Sequence, residues 1–128
     1  MKGELSLLLW SVALAFAQML VAVSGATAQV GLPMLAGNRE NLPPPTGWAG
    51  RAQRAHRNML ENLLLFTALL LIAVVAGKTN PMTLLGAQLF FWARLAYAVI
   101  YVAGIPWLRT AAWFISVTGL VLIFFQLV

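Results

Sequence analysis

The chain contains no cysteine, and acidic residues are nearly as scarce, with three aspartate and glutamate residues together among 128 positions. The absence of cysteine excludes disulfide bonds and thiolate metal ligands, so any thiol chemistry must use a thiol that a ligand brings. Only 9% of the residues are charged, whereas 62% are hydrophobic. A soluble domain of this size cannot bury so much apolar surface, and we therefore predict that lipid surrounds the chain.

Histidine is also rare, since His56 is the single one in the sequence. A metal site needs several ligands, and no second ligand accompanies His56 at a suitable spacing. We therefore predict no metal site.

Four apolar segments each approach the roughly 20 residues that are needed to cross the hydrocarbon core of a bilayer. They are residues 5 to about 26, 59–76, 81–102 and 106–127. Asn80 before Pro81, and Gly104 shortly before Pro106, are typical of helix boundaries. The short connections between the last three segments make them antiparallel neighbours. We predict an all-α integral membrane protein, with residues 1–128 forming a single four-helix domain.

The first segment has a second interpretation, because Lys2, an apolar run and the small residues at 26–28 resemble a signal peptide with its cleavage site. The apolar run is long for a signal peptide, and it contains Trp10 and Gln18. These features favour a membrane helix that is retained.

The longest connection covers about residues 27–47 and contains three consecutive prolines at 43–45, which cannot continue a helix. Thr46 can cap a new helix, and we predict that this helix continues unbroken to Ala76. At 1.5 Å per residue it would be about 45 Å long, so its first turns must project from about 30 Å of hydrocarbon.

Basic residues are concentrated in the first and third connections. These hold Arg39, Arg51, Arg54, Arg57 and Arg109, whereas the opposite side holds only Lys2 and Lys78. The positive-inside rule places the first and third connections in the cytoplasm and both termini outside it. We expect a multi-pass membrane protein with no nucleic-acid partner.

Polar residues also form two stripes on the predicted helices. At 100° per residue, one stripe covers about a third of the second helix, and the other covers about 60° of the third helix. The first consists of Arg51, Arg54, Arg57, Asn58 and Glu61, and the second of Arg94, Tyr97 and Tyr101. An arginine as deep as Arg94 costs roughly 2.5–3.5 kcal/mol on insertion scales, which requires an explanation. We predict that the stripes meet in one pocket, with Arg109 just beyond it.

The residue types restrict the ligand of such a pocket. Arginine forks bind carboxylates or phosphates in a bidentate manner, and Glu61 can bind an ammonium group or balance Arg94. A small zwitterion with more than one carboxylate fits this set. The apolar walls would also admit a lipophilic substrate from the bilayer.

The motifs resemble those of the MAPEG family, the membrane-associated proteins in eicosanoid and glutathione metabolism. The resemblance is carried by residues 51–66, RAQRAHRNMLENLLLF, by Asn80-Pro81, by residues 94–101, RLAYAVIY, and by Arg109. The chain resembles bacterial members of the microsomal glutathione transferase type, which implies a location in a bacterial inner membrane.

The resemblance implies a homotrimer that binds glutathione between neighbouring subunits and acts on lipophilic electrophiles as a transferase or peroxidase. The glutathione-binding residues that it implies are Arg54, Arg57, Asn58, Glu61, Arg94, Tyr97 and Tyr101. Arg109 would be the catalytic residue, because an adjacent cation favours the nucleophilic thiolate.

Structural interpretations of the same residues remain open. Glu61 and Arg94 can form an ion pair between helices, and the arginines near the start of the second helix can contact lipid headgroups. Tyr101 and Trp107 are also typical of membrane-interface anchors. The alternative functions are a non-catalytic lipid- or glutathione-binding protein and a small-molecule transporter, although a transporter would favour a deeper carboxylate in the first helix than Glu4.

Overall fold

The computed structural model describes residues 2–37 and 42–128, and most of them lie in five α-helices. The helices are α1 (Gly3–Val30), α2 (Leu32–Ala36), α3 (Gly47–Val75), α4 (Pro81–Ala103) and α5 (Pro106–Leu127). All except the short α2 are long and apolar enough to cross a membrane. The predicted all-α bundle of four membrane helices is therefore confirmed. Arg39, one of the charges used to predict the topology, lies outside the described residues.

The first helix is longer than predicted, and the connection after it contains the additional helix α2. Helix α1 reaches Val30 and ends at Gly31, whose φ of 85° is easily adopted by glycine. Pro33 then occupies the first turn of α2, where its missing N–H group would have no partner in any case.

Helix α3 begins directly after Thr46, as predicted, but the Thr46 side chain forms no capping hydrogen bond. The side chain of Gln29 bonds the Thr46 backbone instead. Its Nε2 donates to the Thr46 carbonyl at 2.8 Å, and the Thr46 N–H donates to its Oε1 at 3.0 Å. This pair of bonds fixes the end of α1 against the start of α3. With 29 residues, α3 is about 43 Å long and exceeds the hydrocarbon thickness.

The predicted boundary at Asn80 is confirmed in detail. The Asn80 side chain accepts hydrogen bonds from the backbone N–H groups of Met82 and Thr83, at 2.8 and 2.9 Å. The Thr83 hydroxyl accepts in return from the Asn80 N–H at 2.8 Å, which completes a capping box. At the other end of α4, Gly104 is left-handed with a φ of 82°, which allows the tight turn into α5.

The apolar core lies in the middle of the bundle, where α3 and α4 meet. The Phe66 and Phe90 rings stack there with centroids 4.0 Å apart, and Met59, Leu70 and Ile123 pack around them. Helix α3 contacts α1, α4 and α5, whereas α4 and α5 form the most extensive pair. This arrangement places the polar face of α3 beside the end of α4 and the start of α5.

Candidate functional site

Arg94 is the largest buried side chain of the described residues, with only 1% of its surface exposed. Its Nε, Nη1 and Nη2 atoms are all buried without a hydrogen-bond partner. The guanidinium carbon lies 4.2 Å from the centre of the Tyr97 ring, which is a cation–π contact. The contact offsets part of the desolvation, but the five N–H donors of Arg94 remain free. Buried N–H donors of this kind can bind an anionic or carbonyl-bearing group.

A second cation–π contact lies one turn further along α4. The Arg109 guanidinium carbon is 4.5 Å from the centre of the Tyr101 ring. Tyr97 and Tyr101 contact each other edge-to-face, with centroids 5.4 Å apart. The start of α5 therefore places Arg109 against Tyr101, and Tyr101 contacts Tyr97, the ring on which Arg94 lies. The α4 stripe of the sequence thus meets Arg109 in the first turn of α5.

Helix α3 contributes the next arginines. Arg54 Nε donates to the Tyr101 hydroxyl at 3.3 Å, and Arg51 Nε donates to the Val102 carbonyl at 2.9 Å. The Val102 carbonyl lies in the last turn of α4, where carbonyl groups lack helical partners. Arg51 therefore joins the start of α3 to the end of α4, while the exposed Arg54 contacts Tyr101. We call Arg54, Arg94, Tyr97, Tyr101 and Arg109 the arginine–tyrosine cluster.

A cavity of about 240 Å³ opens beside the cluster. Its walls are Asn58, Tyr97, Arg109, Thr110 and Trp113. The cavity thus combines a cation, an amide, a phenol and a hydroxyl with the apolar face of an indole. Such a set binds polar groups at one end and an apolar group at the other.

The orientation of Asn58 is fixed by a residue on the same helix. Asn62 is buried, and its Nδ2 donates to both the Asn58 carbonyl at 2.9 Å and the Asn58 Oδ1 at 3.2 Å. Because Asn58 Oδ1 is held in this way, its amide N–H₂ group is the part that remains available to a ligand.

Arg57 and Glu61 are not brought into the cluster. Both side chains are exposed, and neither forms a hydrogen bond with any described residue. The possible ion pair between Glu61 and Arg94 is absent, because all the guanidinium nitrogen atoms of Arg94 lack a partner. One protomer therefore joins six of the eight predicted site residues, and leaves two on the exposed part of α3.

Sequence reasoning missed three contributors to the site. Thr110 and Trp113 line the cavity, and Asn62 orients Asn58. Thr110 follows Arg109 directly, and Trp113 lies one helical turn after Arg109, so the helical spacing of α5 could have indicated the indole. Asn62 carried a signal too, because it is an amide four residues after Asn58.

The family model that matches this chain is that of the MAPEG family, over residues 7–128. The match covers nearly the whole chain, so the chain belongs to the MAPEG family, which includes glutathione transferases and related membrane proteins. No curated protein and no solved structure matches it.

Proposed function

We propose that this chain is a membrane-bound, glutathione-dependent transferase or peroxidase that acts on lipophilic electrophiles. The observation that carries the proposal is the arginine–tyrosine cluster, in which a buried and unpartnered Arg94 lies beside a cavity that Arg109 borders. Membership of the MAPEG family supports glutathione as the ligand, because members of the family commonly use it.

The residues of the cluster fit the charges of glutathione. The tripeptide carries two carboxylates, for which Arg94 and Arg54 supply planar N–H donors. It also carries one ammonium group, which the exposed Glu61 of a neighbouring protomer would neutralise, since Glu61 lies outside the cluster of its own protomer. The amide of Asn58 suits a peptide carbonyl. The need for a ligand is strongest at Arg94, since its donors have no other partner.

Glutathione would supply the sulfur nucleophile: a carbon–sulfur bond forms as a leaving group departs, or two glutathione molecules become a disulfide as a hydroperoxide is reduced to an alcohol and water. Arg109 would favour the thiolate by placing a fixed cation beside the sulfur. Its contact with Tyr101 holds the guanidinium in place without using its N–H groups. Trp113 and the lipid-facing helices would admit the lipophilic substrate.

We further propose that the site is completed in a homotrimer. The cavity of about 240 Å³ is smaller than the roughly 300–1,000 Å³ of typical ligand pockets, which supports a wall from another subunit. The exposed Arg57 and Glu61 would then face a neighbouring protomer. Chemical cross-linking or native mass spectrometry in mild detergent should detect trimers, and exclusively monomeric protein would contradict this arrangement.

The sidedness of the protein is part of the same proposal. The basic first and third connections would face the cytoplasm, which places the arginine–tyrosine cluster near the compartment that contains glutathione. A reporter fused after Val128 should be active only on the non-cytoplasmic side. Activity on the cytoplasmic side would reverse the orientation of the site.

The central experiment is the addition of glutathione to detergent-purified protein, followed by ultraviolet difference spectroscopy and by calorimetry. We expect saturable binding and an absorbance band of the thiolate at neutral pH, followed by its loss when a lipophilic electrophile is added. Binding without a thiolate band would favour a non-catalytic glutathione-binding protein with the same pocket. The absence of any binding would remove the assignment while leaving the fold unchanged.

A further inference from the structure

A second cavity lies on the other side of the chain, between α1, α3 and α4. It has a volume of about 330 Å³, which is within the range of small-molecule sites. Its walls are almost entirely apolar, with Leu14 from α1 and Leu95 and Val99 from α4 among them. We call it the α1–α4 cavity. Because all three helices are long and apolar enough to cross a membrane, a ligand of this cavity would come from the bilayer.

The one polar side chain in the wall of this cavity is Gln18. Gln18 is only 9% exposed, and its Oε1 atom is buried without a hydrogen-bond partner. A buried acceptor that is left without a hydrogen-bond partner costs about 1–3 kcal/mol. A leucine would fill the same position on α1 without this cost. The position of Gln18 therefore points to a polar group that enters the cavity with a ligand.

We propose that the α1–α4 cavity binds a membrane-dissolved lipophilic alcohol or phenol, whose hydroxyl group forms hydrogen bonds with the Gln18 carboxamide. A hydroxyl group donates one hydrogen bond and accepts two, so it can serve either end of an amide. The last torsion of a glutamine side chain is broad, so the oxygen can turn towards the cavity in place of the nitrogen. The apolar body of the ligand would lie against Leu14, Leu95 and Val99.

This site is distinct from the arginine–tyrosine cluster and does not depend on the proposed function. Leu95 and Val99 lie on a different face of α4 from Arg94 and Tyr97, by about 100° or more around the helix axis, and Ala98 lies between the two faces. Ala55 separates the two sites, because it packs against Tyr97 and also lines the α1–α4 cavity. Glutathione therefore has no direct contact with the proposed ligand.

The test uses the full chain in lipid nanodiscs and two photoreactive probes. One is a long-chain fatty alcohol that carries a diazirine on its chain, and the other is the alkane of equal length with the same diazirine. After illumination, peptide mass spectrometry locates the attached probe. We expect the alcohol to label residues 14–21 and 95–102 saturably. Its affinity should be about tenfold higher than that of the alkane, since one buried hydrogen bond distinguishes the two probes.

Two variants separate the hydrogen bond from the cavity. Gln18→Leu should weaken the binding of the alcohol probe about tenfold and leave the binding of the alkane probe unchanged. It should also raise the thermal stability of the protein, because an unpaired buried amide oxygen is removed. Ala98→Phe should fill the cavity and reduce the labelling by both probes. Gln88→Leu is the matched control, because Gln88 is an exposed glutamine on α4 that does not line the cavity.

Several outcomes would overturn the proposal. Equal labelling by alcohol and alkane, or an unchanged alcohol affinity in Gln18→Leu, would show that the carboxamide recognises no hydroxyl group. Labelling confined to other helices would show that the cavity takes no ligand. If a second protomer fills the cavity in the assembled protein, neither probe will label it, and this result would also overturn the proposal.

Discussion

The two ends of the bundle differ in whether their polar side chains have hydrogen-bond partners within the chain. At the end where α4 begins, Asn80 Nδ2 donates to Gln126 Oε1 at 2.9 Å, and Lys78 Nζ donates to the Leu127 carbonyl at 3.1 Å. In the half of the bundle where α4 ends and α5 begins, Arg94, about 14 Å from the end of α4, is buried with three nitrogen atoms that have no partner. We call these the Asn80 end and the arginine end. Polar groups with a structural role are satisfied within the chain, whereas a buried unsatisfied group requires an explanation, which a bound ligand would supply at Arg94.

Glu4 is a further polar residue at the Asn80 end that has a hydrogen-bond partner within the chain. It is the buried carboxylate of α1, and its Oε2 lies 3.1 Å from the hydroxyl of Thr83, which belongs to the capping box. Glu4 also lies nearer the helix end than the deep carboxylate that a transporter would favour. Its hydrogen bond at the helix end gives it a structural role, and the comparison of the two ends therefore favours the arginine end as the functional one.

The largest expected effect belongs to Arg109 at the arginine end. Arg109→Ala should lower the rate of glutathione conjugation by about 10²–10³-fold, because it removes a fixed cation that stabilises developing charge. The thiolate absorbance should disappear as well. The fold should be retained, since Arg109 is only partly buried in the first turn of α5.

The matched control for Arg109 is a basic residue of the other end. Lys78→Ala removes an exposed cation and one hydrogen bond to a backbone carbonyl, and should leave the thiolate band unchanged. An equal loss of the thiolate band in the two variants would mean that only the total charge of the protein matters. The contrast between the two ends would then not hold.

The next effect concerns packing near the Asn80 end, where two glycines bring α4 and α5 into close contact. A Cβ atom on Gly86 would lie 2.7 Å from the Gly119 carbonyl oxygen, and backbone atoms cannot move aside as a side chain can. Gly86→Leu should destabilise the bundle by about 1–3 kcal/mol, since overpacking forces the helices apart. Thermal unfolding in detergent measures this. Ala96→Leu, at an exposed position on α4, should have little effect.

The sequence allowed the helices to be predicted more completely than the site. Residues such as Asn80, Pro81 and Gly104 act locally, through capping and turn geometry, so their positions follow from the sequence alone. The short helix α2 and the extension of α1 to Val30 were missed, because the ending depends on Gly31 and on bonds from Gln29 to Thr46 that span 17 residues.

The candidate site could be predicted in part, because the stripe residues follow helical spacing. Arg94, Tyr97, Tyr101 and Arg109 do lie together. The partner of Arg94 could not be predicted, because spacing shows which residues share a face but not which side chains meet across helices. Glu61 is at a suitable position in sequence, yet it is exposed in the fold.

Because Arg94 forms no ion pair with Glu61, its replacement by an apolar residue should not destabilise the ligand-free protein. Arg94→Met replaces an unpaired buried cation by an apolar side chain of similar length, and should raise the stability of the ligand-free protein by about 1–3 kcal/mol. The same change should abolish the stabilisation that glutathione confers on the parent. Thermal unfolding with and without glutathione measures both effects. A less stable variant would indicate that Arg94 has a partner in the assembled protein, and would weaken the contrast between the two ends.

The smallest expected effect lies at the Asn80 end and concerns stability alone. Asn80→Ala removes the side-chain cap of α4 and the bond to Gln126, and should reduce the free energy of unfolding by about 1–2 kcal/mol. Asn80→Asp retains an oxygen that accepts from the backbone N–H groups of Met82 and Thr83, but it loses the donor to Gln126. We therefore expect Asn80→Asp to lose only the smaller part of this stability, as Gln126→Ala should. Glutathione affinity should be unchanged in all three variants. A change in affinity would show that the two ends of the bundle are coupled, and the division between a structural end and a functional end would not hold.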